Sequence, residues 1–272
     1  MNNGVNMINL ILLKKEFKSN LKILLIFAAV LTMYGAIIIS MFDPKLVDSL
    51  NSMVESMPQM FALFGMNNFS NNLTDFLIDY LYSFLLIIFP LVFIVLLVNR
   101  LVIRYIDKGS IAYLFATPNS RIKIISTQIL NAVIEIFILN LYITMLIIFT
   151  SEIMFKGELD ITKIIIINIG LLGLWLSFLG ICFLSSVSFS STNISLWAGA
   201  GLCILFMLFQ MIAMVGEKAE FFKYLSIITL FNPSKYSDDF NIFLIGTICL
   251  FIIGIVTNIL SVIIFNKRDI SA

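Results

Sequence analysis

Six long apolar runs dominate the chain, near 22–42, 80–99, 124–150, 163–187, 195–215 and 241–265. Each approaches or exceeds the roughly twenty apolar residues that carry a helix across a bilayer. Pro90 lies inside the second run and predicts a kink there. The third and fourth runs exceed what the hydrocarbon thickness demands, which predicts tilt or protruding ends.

Three other apolar segments are too short to cross. Over 1–21, Leu10, Leu13, Phe17 and Leu21 share one helical face, and Lys14, Lys18 and Lys22 share another. This pattern predicts a basic amphipathic helix in the inner interface, serving as an anchor, a partner contact or both. Between runs two and three lies IDKGSIAYLFATPNSR (106–121). Arg100, Arg104 and Lys108 recur at four-residue spacing and extend the second helix as a basic stalk. Gly109 breaks it and Ser110 can cap a new short helix. Ile111, Leu114 and Phe115 then share a face, and Pro118 ends the helix. That face packs on the span ends or the lipid interface, or it docks on a soluble partner. The third segment, 221–231, is stopped by Asn232-Pro233 and predicts a re-entrant or interfacial helix within 217–240, between spans five and six. The longest outer loop, 43–79, carries Met53, Met57, Met60 and Met66. Packing on the bundle is the expectation for these methionines, with a lid over a substrate path as the alternative.

Composition agrees with the pattern. The 272 residues are 60% hydrophobic and only 12% charged, about half the usual charged share of a globular domain. The fold class is therefore all-α integral membrane, one transmembrane domain over 1–272. Eleven of the 17 basic residues fall on the side of the N-terminus, the 100–123 loop and the C-terminus, with three of the 16 acids. By the positive-inside rule both termini are cytoplasmic. The first apolar run is too long for a cleavable signal. Abundant Ile, Asn and Lys suit a low-GC bacterium and its plasma membrane. There is no histidine, which removes imidazole catalysis and His-ligated metal. Cys182, Cys203 and Cys249 sit inside apolar runs and read as small buried hydrophobes. No GxxxxGK[ST] loop occurs, so no catalytic motif, cofactor site or metal site is expected in the chain. Energy for any work must come from an ion gradient or another chain.

The stretch DKGSIAYLFATPNSRIKIISTQIL (107–130) resembles the cytoplasmic loop of type-2 ATP-binding-cassette (ABC) permeases, through Asp107, Lys108, Gly109, Leu114, Ala116, Thr117, Pro118, Ser120 and Arg121. LLKKEFKSNLK (12–22) is similar to that family's connecting helix, and FNKRDI (265–270) to its basic tail. Asp107 stands where glutamate is commoner. The resemblance implies an exporter-type permease subunit, paired with a second permease and with two copies of a separate ATPase subunit that holds ATP and Mg. It implies that 109–117 is the coupling helix, with Lys108, Gly109, Ile111, Leu114, Phe115, Thr117, Pro118 and Arg121 at the ATPase contact. Peptides, drugs or other amphipathic compounds are the substrates it suggests. No nucleic-acid partner is expected.

Polar residues inside the runs are the remaining candidates. Glu135, one turn after Asn131, must face a partner or a cavity. It is a substrate or proton site, or a structural acid bonded to Asn131 or to Asn168, Gln210 or Asn258. Asn140 and Asn168 read as interhelical hydrogen-bonding residues, and Gly170, Gly173, Ser177 and Gly180 as a close-packing face. Two other functions stay open: an ion-coupled secondary transporter using Glu135, and a membrane immunity or sensor protein that transports nothing.

Overall fold

The computed structural model describes residues 8–43, 47–63, 72–107, 119–189, 191–215 and 217–267. Among them there is no strand, and six helices are long and apolar enough to cross a membrane. The chain is thus an all-helical, multi-pass membrane protein. Its elements are α1 (Leu10–Ser40), α2 (Val47–Ser56), α3 (Pro58–Leu63), α4 (Leu73–Ile103), α5 (Arg121–Met154), α6 (Ile161–Ser188), α7 (Thr192–Ala213), α8 (Lys235–Asp238) and α9 (Phe240–Lys267). The long helices overlap the six apolar runs, and α1, α4 and α5 reach well beyond them.

The amphipathic segment before span one is not a separate helix. Residues 10–40 form one unbroken helix of 31 residues, about 46 Å at the usual rise. Along its first turns Leu10 and Leu21 are exposed on the outside of the bundle, while Leu12, Glu16 and Asn20 are buried within it. Asn20 turns inward because α4 and α5 offer it hydrogen-bonding partners, which lipid cannot, while Lys14, Lys18 and Lys22 stay exposed.

Helix α6 is the centre of the bundle. It packs on α4, α5, α7 and α9, and 67% of its apolar window is buried, against 17–56% for the other spans. The small-residue face predicted on α6 meets α9. Ser177 Oγ donates to the Leu250 carbonyl at 2.7 Å. A Cβ added at Gly180 would lie 1.9 Å from Thr257 Oγ1, so only glycine allows this approach. Asn140 and Asn168 do join helices: Asn140 Nδ2 donates to the Asn168 carbonyl at 3.2 Å, and Asn168 Nδ2 to Tyr82 Oη at 2.6 Å. Cys182 and Cys203 are buried free thiols.

Pro90 lies within α4, which is α-helical over Leu86–Val98 and has wider π-helical turns at Ile78–Leu85 and Asn99–Ile103. Proline has no N–H to give the carbonyl four residues back. That carbonyl belongs to Leu86, and the indole Nε1 of fully buried Trp175 donates to it at 2.9 Å. A side chain from α6 thus replaces the missing backbone donor.

Outside the spans, Met53, Met57 and Met60 do not pack on the bundle as expected. All three are more than half exposed, while Val54 and Ala62 turn inward. Met66 lies outside the described residues. Segment 217–230 forms two 3-10 stretches, Glu217–Leu225 and Ile227–Leu230, bound to α7 by Ser226 Oγ to the Phe206 carbonyl (2.7 Å) and Thr229 Oγ1 to Gln210 Oε1 (2.6 Å). The Leu230 carbonyl lies against Gly246 of α9, where a Cβ would stand 2.2 Å away.

Trp175→Phe should lower the stability of the purified protein by about 1–3 kcal/mol, the cost of an orphaned buried carbonyl. In a Pro90→Ala background, where residue 90 regains its N–H, the same substitution should cost less. Equal losses in both backgrounds, measured by thermal unfolding in detergent, would contradict the assignment of Trp175.

Candidate functional site

Among the described residues the buried charged side chains, Glu16, Glu135 and Lys163, lie in two places. One is at the end of the bundle where α1 and α5 begin and α4 finishes, the basic end of the sequence. Asn9 caps α1 by accepting from the Ile11 and Leu12 amides, and its own N–H donates to Thr127 Oγ1 of α5 at 2.9 Å. Ser120 caps α5 through the Lys123 amide at 3.2 Å. The first turns of α1 and α5 are therefore fixed side by side.

Two turns further into the bundle, three helices meet at Asn20. This residue is 1% exposed. Its Nδ2 donates to Glu135 Oε1 of α5 at 3.1 Å, and its Oδ1 accepts from Arg100 Nε of α4 at 3.0 Å. Arg100 also donates through one terminal nitrogen to the Ser19 carbonyl and hydroxyl, at 2.9 and 3.1 Å. Asn131 Nδ2 adds a second bond to Glu135 Oε1 at 2.6 Å. Glu135 and Asn131 are fully buried. The carboxylate and the guanidinium do not touch; an amide that donates to one and accepts from the other stands between them.

Local structure explains how Arg100 reaches this site. Four-residue spacing places Arg100 and Arg104 on one face of a regular helix. The π-helical turns at Asn99–Ile103 alter that register. Arg104 is exposed, whereas Arg100 turns to α1. The helix then runs on through Arg104–Asp107, and Lys108, the last residue of the expected stalk, lies outside the described residues. Tyr105 Oη donates to Glu16 Oε1 at 2.6 Å. Partial burial and this carboxylate both push the Tyr105 phenol above its ordinary range, so it stays a neutral donor.

The second cluster lies at the opposite end. Lys163, 6% exposed, pairs with Asp75 at 2.5 Å and lies 5.9 Å from the Tyr236 ring. Thr74 Oγ1 accepts from the Asp160 amide at 2.9 Å, and Asp160 caps α6. These contacts join α4, α6 and α8, and they account for a lysine inside an apolar helix.

Asn131 was expected beside Glu135 and is there. Asn168, Gln210 and Asn258, the other suggested partners, are elsewhere: they bond Tyr82, Thr229 and the Gly254 carbonyl. Sequence reasoning missed Asn20 and Arg100 as partners of Glu135. The readable signal was the pair Glu16 and Asn20, spaced by four on α1 and polar where a lipid-facing helix would be apolar. Of the proposed ATPase-contact residues, Arg121 opens α5. Lys108, Gly109, Ile111, Leu114, Phe115, Thr117 and Pro118 lie outside the described residues. Among the described residues no group of His, Cys, Asp and Glu is placed to hold a metal. Comparison with family models, curated proteins and solved structures finds no match to the chain.

Removing Arg100 leaves Asn20 Oδ1 buried without its donor. Arg100→Met should therefore cost about 1–3 kcal/mol of stability, and Arg104→Met at an exposed neighbour no more than about 0.5 kcal/mol. Equal losses in thermal unfolding would show that Arg100 does not hold the helices together.

Proposed function

We propose that the chain is the membrane-spanning permease subunit of an ABC exporter. A separate ATPase subunit would supply ATP hydrolysis with its Mg, and a second permease subunit would complete the pathway. One observation supports this reading above the others: Asn20, Arg100 and Glu135 tie α1, α4 and α5 together at the end of the bundle where α4 finishes and α5 begins. A force applied to the loop would move three spans at once, as coupling to a soluble motor requires. The motif DKGSIAYLFATPNSR (107–121), with Phe115 on its docking face, is the part of the sequence that suggests the motor.

A second feature agrees. An open groove of about 560 Å³ lies at the foot of α1 and α5, lined by Ile8, Asn9, Leu10, Ile11, Asn119 and Lys123. Leu10 and Ile11 are 73% and 85% exposed there, although both are apolar. In this reading the basic end is cytoplasmic, in a bacterial plasma membrane, with lipid around the spans. The Glu217–Leu230 stretches form the re-entrant segment of the outer face, and the first turns of α1 serve as the family's connecting helix. The exported substrate would be a peptide, drug or other amphipathic compound.

Ion-coupled transport is the second reading. It rests on Glu135 Oε2, a buried carboxyl oxygen without a hydrogen-bond partner.

Purification of the tagged chain in mild detergent separates the two. The permease reading expects a Walker-motif subunit to co-purify with vanadate-sensitive ATPase activity. Phe115→Asp should insert normally but lose that subunit and abolish transport. A chain that transports without an ATPase, and loses transport when the proton gradient is collapsed, would overturn it.

A further inference from the structure

The hydrogen bonding around Glu135 is incomplete in one particular way. Oε1 accepts twice, from Asn131 Nδ2 at 2.6 Å and from Asn20 Nδ2 at 3.1 Å. Oε2 has no partner, and neither has Oδ1 of Asn131. Both residues are fully buried. Two side chains already joined by one hydrogen bond thus each keep an empty acceptor. A carboxylic acid and a primary amide can form two antiparallel bonds, N–H to the acid carbonyl and O–H to the amide carbonyl. The first of these bonds is present. The second would require a proton on Oε2.

We propose that Glu135 is a proton-binding site. Oε2 carries the proton and donates it to Oδ1 of Asn131, which closes a cyclic acid–amide pair within the membrane. One proton removes both orphan acceptors and the need to hold an ionised carboxylate away from water. Asn20 can still donate to Oε1, so the link to Arg100 survives protonation. The proposal holds whether or not the chain works with an ATPase.

The charges around the site are few. Arg100 on α4, which bonds Asn20 and not Glu135, and Glu16 on α1 set one positive and one negative charge near the Glu135 carboxyl. Lys14, Lys18 and Lys22 of α1 are exposed. The one charge on α6, Lys163, is paired with Asp75 at the far end, and the one on α9, Lys267, is exposed. Along α5, Arg121 and Lys123 sit at its start and Glu152 near its finish. Gln128 lies between Glu135 and the basic end of α5, 2% exposed, with neither amide atom partnered. It gives an exchanging proton a polar step toward that surface.

Infrared difference spectroscopy of the purified chain in nanodiscs tests the assignment. At neutral pH the wild type should show the carbonyl band of a protonated carboxyl, shifted in deuterated water and absent from Glu135→Gln. Asn131→Leu should move that band to higher frequency, because the acid loses its amide acceptor. Glu135→Gln places an N–H where the acid has its O–H and should keep the wild-type melting temperature. If Glu135→Gln fails to fold, the shift in Asn131→Leu identifies the band. A carboxylate signal at neutral pH, with bound water in place of the proton, would overturn the proposal. So would a melting temperature that rises with sodium and not with falling pH, which would indicate a cation on Oε2.

Discussion

Inside a bilayer a polar side chain has no water to turn to, and it must be met by another polar group of the protein. In this chain that constraint is concentrated at Asn20. A single amide donates to Glu135 and accepts from Arg100, so one buried residue joins three helices. The same constraint decides which face of α1 turns inward. It also agrees with the irregular turns of α4, since the widened stretch at Asn99–Ile103 is where Arg100 leaves its regular register to face α1.

The middle of the bundle obeys the same rule with a different donor. Pro90 deprives the Leu86 carbonyl of its helical partner, and Trp175 supplies one from α6. Helix α6 is also the surface on which α9 lies closest, through Gly170, Gly173, Ser177 and Gly180. At one end the Asn20 network joins α4 to α1 and α5, and α5 also packs on α6 and α9. At the other end the Lys163–Asp75 pair joins α4 to α6. The proposed motor-driven cycle needs this division: a tie that gathers three spans at the basic end, and a packed centre for them to move against.

Much of the fold was legible because hydropathy over twenty residues is a strong signal. The six spans, the close-packing face of α6 and the bridging roles of Asn140 and Asn168 could all be read from residue type and spacing. The site was legible in half. Glu135 stood out as a charge within an apolar run, and Asn131 was one turn away. Asn20 and Arg100 were hidden, because each lies at the margin of a hydrophobic run where polar residues are ordinary. The π-helical register of α4, which turns Arg100 inward while Arg104 stays outside, leaves no mark in a pattern of four-residue spacing. The exposed methionines of α2 and α3 were misread for a related reason: composition shows that they are adaptable, and not which way the helices face.

The central claim is that Asn20 and Glu135 act as one unit in holding α1 to α5. A double-mutant cycle on Asn20→Leu and Glu135→Leu, read by thermal unfolding in detergent, tests it most directly. The account predicts a coupling of about 0.5–3 kcal/mol, as for residues in one hydrogen-bonded network. Additive losses would contradict it, and the two residues would then act independently.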